Sequence, residues 1–261
     1  PAAVEELLWP ARQPTILEFD DAIWLTAGHE RKLRRLCARA SLVIAGNDFL
    51  ADFARPHARQ VAVLPTTVDV EGYRRERRPP DGTLRVGWIG LRYNLPYLAA
   101  LAEPLRRLSA RGVSCELRVI SSGLPGPRAA WEGVRLVHRP WSEAGEADEI
   151  AACDVGVMPL PDTPWARGKC GLKLVQFMAA GRAVVASPVG VNRQIVRTGE
   201  NGLLAADAAE WETALHRLNT EKGLATRLGE AGRATVADRY SLTRGARLVA
   251  ETYRLAPTLS P

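Results

Sequence analysis

Short apolar, β-branched runs alternate with segments of helical periodicity along nearly the whole chain. Such alternation is typical of βαβ units, in which a crossover helix joins two parallel strands. In the first part of the chain the pattern predicts strands at 15–19, 42–45 and 60–64, and helices at 29–39 and 48–54. The pattern therefore predicts an α/β fold with mostly parallel sheets.

A second and longer series of alternating segments follows residue 82. Its predicted strands lie at 84–89, 115–120, 134–137, 155–158, 183–186 and 202–204. Helices are predicted at 96–110, 172–181, 208–219, 224–238 and 242–255. Six strands with crossover helices predict a complete Rossmann-like domain.

The two series are separated by a charged stretch, 74–82, that ends in two prolines and a glycine and cannot continue a regular element. The predicted division is a first domain at 1–78, a linker at 79–83, a second domain at 84–240, and a C-terminal segment at 241–261. The first domain has about three predicted strands, too few for a sheet covered on both faces, so we predict that it is incomplete.

The beginning of the sequence agrees with an incomplete first domain. The chain opens with Pro1 inside a predicted helix, 2–8, which indicates a start within a longer gene product. Roughly 80 to 100 further residues would complete the first sheet, at the usual length of a βαβ unit.

Length and composition narrow the class of protein. With 261 residues and 46% hydrophobic composition, the chain can bury one large core or two modest ones. No apolar run approaches the roughly 18 to 20 residues that cross a bilayer, and no signal peptide is recognisable. The cysteines lie far apart, without metal-ligand spacing, and are predicted to be free thiols in a reducing cytoplasm. They are Cys37, Cys115, Cys153 and Cys170.

The charge balance favours anionic partners. A net charge of +6 suits sugar nucleotides, acidic lipids or nucleic acid, and does not choose among them. The basic residues are 31 arginines and only four lysines, so each lysine is conspicuous. Two of the four, Lys169 and Lys173, fall within five residues of each other.

The most informative segment, 168–181, contains glycines that let a backbone approach a ligand, and then a helix beginning near Leu172. A helix N-terminus binds anions, and Lys173 adds a point charge in its first turn. Gln176 lies one turn further on the same face, where its amide could meet a sugar hydroxyl. We expect Leu172, Val175 and Met178 or Ala179 to face the core.

An alternative is that Lys173 and Gln176 form an ordinary solvated helix face. For an isolated Lys-x-x-Gln this alternative would be preferred. Here the helix follows strand 155–158 of a predicted parallel sheet, and its N-terminus faces the carboxyl edge where α/β proteins bind ligands. The position in the sheet therefore favours a binding site.

Three further loops are predicted to reach the same edge. Gly90 and Arg92 follow the first strand of the second domain and suit a diphosphate, although a glycine there also serves packing alone. Trp141 could flank a nucleobase, with packing as the commoner role. The loop containing Val189, Gly190 and Asn192 follows strand 183–186, and Asn192 is equally consistent with a helix cap and a ligand contact.

Asp20 and Asp21 end a strand of the first domain. Successive strand residues point in opposite directions, so the two carboxylates cannot form a facing acid/base pair. One is predicted to be functional and the other a turn or cap residue. The sequence contains no Ser-His-Asp set, P-loop or Gly-x-Gly-x-x-Gly fingerprint.

The segment 151–205, with its Lys-Cys-Gly-Leu-Lys-Leu-Val-Gln-Phe-Met-Ala-Ala-Gly block and the later Gly-Glu-Asn-Gly-Leu-Leu, resembles the C-terminal domain of family 4 (group 1) retaining glycosyltransferases of the GT-B fold. Asn47 and the segment 63–69 are similar to the end of that family's N-terminal domain. The last helix is similar to the one that crosses back onto it. The resemblance covers most of the chain.

The resemblance implies transfer of a sugar from a nucleotide diphosphate donor, with retention of configuration, in a cleft between two domains. It implies no cofactor and no obligatory metal. Lys173 matches the family's lysine on the donor diphosphate, and Gln176 matches the second glutamate of its Glu-x7-Glu motif, which holds the ribose. Gly168 matches the first glutamate, so both acidic positions depart from the pattern.

With both glutamates replaced, Lys169 or Asp162 is the predicted contact of the transferred sugar, and Asp20 and Asp21 match a region near the family's N-terminal histidine. The predicted catalytic residues are therefore Asp20, Asp21 and Lys169. The predicted donor-binding residues are Gly90, Arg92, Trp141, Lys173, Gln176, Val189, Gly190 and Asn192.

The leading hypothesis is a bacterial, cytoplasmic hexosyltransferase of polysaccharide or glycoconjugate synthesis, weak or inactive as this fragment. Its predicted partners are a nucleotide diphosphate sugar and a glycan or lipid-linked acceptor, with peripheral contact at the anionic inner membrane face and no nucleic acid. A second hypothesis is a non-catalytic sugar-nucleotide-binding module or partner subunit. A third is a sugar-nucleotide 2-epimerase, which shares the architecture but depends on acidic residues that are not recognisable here.

Overall fold

The computed structural model describes residues 14–79, 81–123 and 131–255, and the helix predicted at 2–8 lies outside them. The strands are β1 Ile16–Phe19, β2 Leu42–Ala45, β3 Val61–Val63, β4 Thr83–Ile89, β5 Ser114–Ile120, β6 Arg135–Arg139, β7 Val155–Met158, β8 Ala183–Ala186 and β9 Leu203–Leu204. The helices are α1 His29–Arg39, α2 Asp48–Ala54, α3 Ala99–Ala110, α4 Glu143–Ala151, α5 Pro164–Arg167, α6 Leu172–Ala179, α7 Asn192–Ile195, α8 Ala208–Thr220, α9 Leu224–Arg239 and α10 Leu242–Leu255.

Every predicted strand is present, with ends shifted by at most two residues. The helix predicted at 96–110 differs, because a 3-10 helix at Arg92–Leu98 precedes α3. Pro96 lies inside that 3-10 segment, where it cannot donate the backbone hydrogen bond of an α-helix. The α/β prediction is confirmed.

One compact unit comprises residues 1–67, 162–170 and 242–261. Its described strands form a parallel sheet in the order β1-β2-β3. Strand β2 is buried along its whole length, as expected for a central strand covered on both faces. Helices α1 and α2 pack on it through apolar residues that include Leu33, Cys37 and Leu50.

The other compact unit comprises residues 68–161 and 171–241. Its described strands form a parallel sheet in the order β6-β5-β4-β7-β8-β9, so the chain reverses direction of winding between β4 and β7. Apolar clusters cover both faces of this sheet. Residues 68–78 group with this unit and 162–170 with the first one, whereas the sequence pattern placed a linker at 79–83 and kept 84–240 together.

Two glycines allow α6 to lie close against the sheet. Gly87 on β4 and Gly156 on β7 are partners in the strand register. A Cβ atom at Gly156 would lie 2.1 Å from Cγ of Phe177, and one at Gly87 would lie 3.0 Å from Cε1 of the same ring. Glycine at position 156 therefore leaves the space that Phe177 of α6 fills, and glycine at position 87 also leaves room for Cys153, whose Sγ atom would lie 2.3 Å from a Cβ atom there.

The four cysteines are free thiols, as predicted. Burial raises the pKa of Cys37 and Cys115 to about 11 and that of Cys153 to about 12. Among the described residues, no helix combines the length and the apolar character that a membrane span requires.

Candidate functional site

Helix α6 begins at a glycine that no other residue could replace without strain. Gly171 is its N-cap, in the left-handed conformation with φ of 76°. A Cβ atom at this position would also lie 2.3 Å from Cδ1 of Ile195. The first backbone N–H groups of a helix lack intrahelical partners, so this terminus carries partial positive charge.

Lys173, in the first turn of α6, lies over the carboxyl end of β4. Its Nζ atom is 5.4 Å from the ring centroid of Trp88, a cation–π distance. A Cβ atom at Gly90 would lie 2.8 Å from Cε of Lys173 and 2.8 Å from the Trp88 ring. The structure therefore brings Gly90 and Lys173 together at the sheet edge, and glycine makes room for the lysine stem.

Arg92 lies just beyond Gly90, in the 3-10 helix, and is exposed. Its Cβ atom is close to Gly123, so the loops after β4 and β5 meet at this point. Within the described part of the chain, no hydrogen bond or ion pair engages the Arg92 guanidinium. A guanidinium so placed suits a bidentate contact with a phosphate.

Gln176 is buried, with 6% of its surface exposed, and is not part of a solvated face. Its Nε2 atom donates to Oε1 of Glu146 at 2.8 Å and to the Tyr73 hydroxyl at 3.1 Å. The expectation that Leu172 faces the core is wrong, since Leu172 is 45% exposed. Residues 174–179 are buried all round the helix, so an amphipathic pattern misassigned its faces.

Glu146, in the first turn of α4, is a site residue that was not predicted from the sequence. It accepts hydrogen bonds from Gln176, from the Tyr73 hydroxyl, and at 2.7 Å from the indole N–H of Trp141. Burial and the bond to Glu146 raise the pKa of Tyr73 well above its usual range. Tyr73, Trp141, Glu146 and Gln176 come from three separate segments, and no sequence spacing links them. We call these four residues the acid–amide cluster.

Trp141 is 52% exposed and is therefore not a core packing residue. The loop between β8 and α7 also reaches this edge of the sheet. Asn192 is the first residue of α7 and not its N-cap, which is Val191. Asn192 is fully buried, and its Nδ2 atom donates to the Ser187 carbonyl, so its side chain shapes the loop that contains Val189 and Gly190.

In the first unit, the structure brings together two of the three predicted catalytic side chains. Nζ of Lys169 lies 2.8 Å from Oδ1 of Asp21, and both side chains are largely buried, with 13% and 29% exposed. Lys169 also lies 5.0 Å from the Trp165 ring centroid. Asp20 is exposed, and its backbone carbonyl accepts a hydrogen bond from the Cys170 thiol.

The segment before α6 is anchored in the first unit by Asn47. Oδ1 of Asn47 caps α2, and its Nδ2 donates to the Gly168 carbonyl at 3.0 Å. Gly168 is buried, and a Cβ atom there would lie 2.7 Å from Cβ of Ala22. No glutamate side chain fits at position 168 without moving Ala22. Burial raises the pKa of the neighbouring Cys170 thiol to about 12.

A groove of about 810 Å³ in the first unit lies beside Asp20. Strand ends and helix α10 form its walls. Its lining residues include Glu18, Asp20, Gly46, Thr66, Thr67 and Ala246. The described residues contain no group of three or more His, Cys, Asp or Glu side chains that could hold a metal ion.

Most of the second unit matches a known protein family. The sequence profile described as "Glycosyl transferases group 1" matches residues 84–221, more than half of the chain. A D-inositol 3-phosphate glycosyltransferase of Streptomyces bingchenggensis is 34% identical over 142 residues, 51% of this chain and 30% of that protein. A phosphatidyl-myo-inositol mannosyltransferase of Mycobacterium tuberculosis is 29% identical over 161 residues, 58% of this chain and 41% of that protein. The chain thus spans less than half the length of these curated relatives.

Solved structures share the fold. HepE from Anabaena, solved with UDP and glucose, superposes with a TM-score of 0.73 at 18% identity, covering 97% of this chain and 74% of that one. Sucrose-phosphate synthase from Thermosynechococcus elongatus gives 0.69 at 20% identity, covering 92% and 67%. These matches confirm the predicted GT-B type of architecture.

Proposed function

Because this chain belongs to the glycosyl transferases of group 1, we propose that it binds a nucleotide diphosphate sugar and serves transfer of the sugar, with retention of configuration, to a hydroxyl of a glycan, lipid-linked or other acceptor. The observation that carries the proposal is the placement of Lys173, in the first turn of α6, across Gly90 at the carboxyl edge of the sheet. A lysine at a helix N-terminus attracts the negative charge of a diphosphate.

The other proposed donor contacts lie at the same carboxyl edge of the sheet. The Arg92 guanidinium would share the diphosphate, and the acid–amide cluster would hold the nucleoside through Trp141 and Gln176. The loop with Val189 and Gly190 would contact the donor through its backbone, since the Asn192 side chain is buried. HepE, which has the same fold, was solved with UDP-glucose, which supports this class of donor.

The first unit would supply the acceptor side. Asp20 borders the groove, where its exposed carboxylate could bind sugar or acceptor hydroxyls. Two curated relatives are named for inositol-containing acceptors, which supports a polyol or lipid-linked acceptor. The ion pair of Lys169 with Asp21 makes Asp20 the better candidate for direct contact with a ligand.

A non-catalytic binding module is a second candidate, favoured by one observation. Both acidic positions of the family motif are occupied by Gly168 and Gln176. Such a module would bind donors and never transfer or hydrolyse them. Donor binding is common to both candidates, and turnover separates them.

The test is a thermal-unfolding screen with UDP, GDP, ADP, dTDP and their sugars. A ligand present at a hundred times its Kd stabilises the folded state by about 2.7 kcal/mol. For a protein of this size, that corresponds to an increase in Tm of roughly 5 to 11 °C. We expect one base to give such a shift and the others less. No shift with any nucleotide would contradict the proposal.

A further inference from the structure

A closed set of hydrogen bonds fixes the side-chain amide of Gln176. The Tyr73 hydroxyl donates to Oε1 of Glu146. The Nε2 atom of Gln176 donates to the same carboxylate oxygen at 2.8 Å and to the Tyr73 oxygen at 3.1 Å. The amide nitrogen therefore faces two acceptors of the acid–amide cluster that are bonded to each other, and it donates into that pair.

The chemistry of Glu146 determines which way the amide is turned. An ionised carboxylate only accepts hydrogen bonds, so the nitrogen and not the oxygen of the amide must face it. None of the hydrogen bonds that Gln176 makes with described residues uses Oε1. The amide oxygen is left as an acceptor with a fixed direction.

We propose that Glu146 and Tyr73 are positioning residues that hold Oε1 of Gln176 as the acceptor for a hydroxyl of the donor's nucleoside sugar. This inference rests on the proposed function of the same site. A carboxylate oxygen at position 176 would serve the same hydroxyl in a protein without Glu146. In this chain α4 provides the acid and α6 provides the amide. Glutamine in place of the motif's glutamate therefore keeps a hydrogen-bond acceptor at position 176.

The inference makes a prediction opposite to the one from the family motif. Gln176→Glu restores the residue of the motif, but it places two carboxylates where the present contact is 2.8 Å. Like charges at that distance repel, so one carboxylate must take up a proton or turn away. Adding Glu146→Gln reverses the pair, because the new amide can donate to the new carboxylate across the same contact.

The experiment compares five proteins by calorimetric titration with UDP and GDP and with their 2′,3′-dideoxy analogues. They are the parent chain, Gln176→Glu, Glu146→Gln, the double variant, and Glu143→Gln as a control. Glu143 lies in the same first turn of α4 and is exposed, so its variant removes the same charge without touching the cluster.

We expect the parent to prefer the ribonucleotide to the dideoxy analogue. Gln176→Glu should bind the ribonucleotide at least about tenfold more weakly and lose most of that preference, as expected for a charged group left without its partner. The double variant should recover both the affinity and the ribose preference. A purely structural role of the cluster would not predict recovery of the ribose preference. Glu143→Gln should match the parent.

Two results would overturn the inference while leaving the proposed function intact. One is Gln176→Glu binding UDP or GDP as tightly as the parent or more tightly. The other is a double variant that folds but lacks the ribose preference of the parent, a result that counts even if Gln176→Glu alone does not fold. Absence of nucleotide binding by the parent would instead overturn both.

Discussion

At the scale of single residues, glycines determine which side chains fit into the candidate site. Gly168 faces Ala22 so closely that the first acid of the family motif has no room, and Gly90 makes room for the stem of Lys173. Both glycines are visible in the sequence, but the residues opposite them are not, because those neighbours are distant along the chain. The position of Lys173 in the first turn of α6 could be predicted from local sequence, since a helix terminus is a local feature.

Asp20 and Asp21 illustrate what local sequence leaves open. The expectation that both carboxylates end a strand is wrong, because β1 ends at Phe19 and both lie beyond it, so strand alternation does not determine which one is paired. Asp21 is paired with Lys169, which lies far along the chain, and Asp20 is exposed beside the groove. Only the folded arrangement of the segment 162–170 in the first unit makes that assignment.

The Asp21–Lys169 ion pair gives a prediction for stability. Each of Asp21→Asn and Lys169→Met should lower the free energy of unfolding by about 1 to 2 kcal/mol, more than an exposed pair and less than a fully buried one. The double variant should lose less than the sum of the two. Urea denaturation measures all three. Asp20→Asn, the matched control, should change the free energy of unfolding by less than about 0.5 kcal/mol. If the losses of Asp21→Asn and Lys169→Met simply add in the double variant, the two side chains are not coupled.

At the scale of elements, the order of strands and helices was predictable because apolar runs and helical periods are local signals. The faces of α6 were not. Its Leu172 is exposed and its Gln176 is buried, because the helix is covered on nearly all sides and its apolar period no longer marks one face. The link of Gln176 to Glu146 and Tyr73 was not predictable for a related reason, since these residues are distant along the chain and meet only in the folded unit.

The close packing of α6 against the sheet gives a prediction for stability. Gly156→Ala should lower the free energy of unfolding by about 1 to 3 kcal/mol, because the new methyl group overlaps the Phe177 ring, and it should weaken nucleotide binding by displacing the helix. Phe177→Leu in the same chain should recover part of both losses. Thermal unfolding with and without nucleotide measures the effect. Equal losses in the single and double variants would mean that Phe177 is not the obstacle.

At the scale of the whole molecule, the two compact units support different parts of the account. The second unit has an extended parallel sheet and the residues that we propose to bind the donor, and most of the segment 84–221 that the family profile matches lies in it. The first unit has three described strands and the groove, and the chain spans less than half the length of its curated relatives. Donor binding is therefore the property that this chain should retain most fully.

We predict that the 261-residue chain binds a donor but transfers little sugar. Holding two reactants in place contributes about 7 to 11 kcal/mol to catalysis, and the first unit, which we propose as the acceptor side, has three described strands. A radiolabelled donor with glycan and lipid-linked acceptors measures transfer, and the same assay on a longer natural chain is the comparison. Strong acceptor-dependent turnover by this chain would show that its own residues, Asp20 and Asp21 included, complete the active site.

The most direct test of the account is calorimetric titration of UDP and GDP into the parent chain, Lys173→Ala and Lys222→Ala. The last variant removes the same charge from an exposed lysine of the same unit. Loss of a charged hydrogen bond to phosphate should weaken binding by about 1.5 to 3 kcal/mol, or roughly ten- to a hundredfold, in Lys173→Ala alone. Equal affinity of Lys173→Ala and the parent for both nucleotides would contradict the assignment of the diphosphate to the α6 terminus.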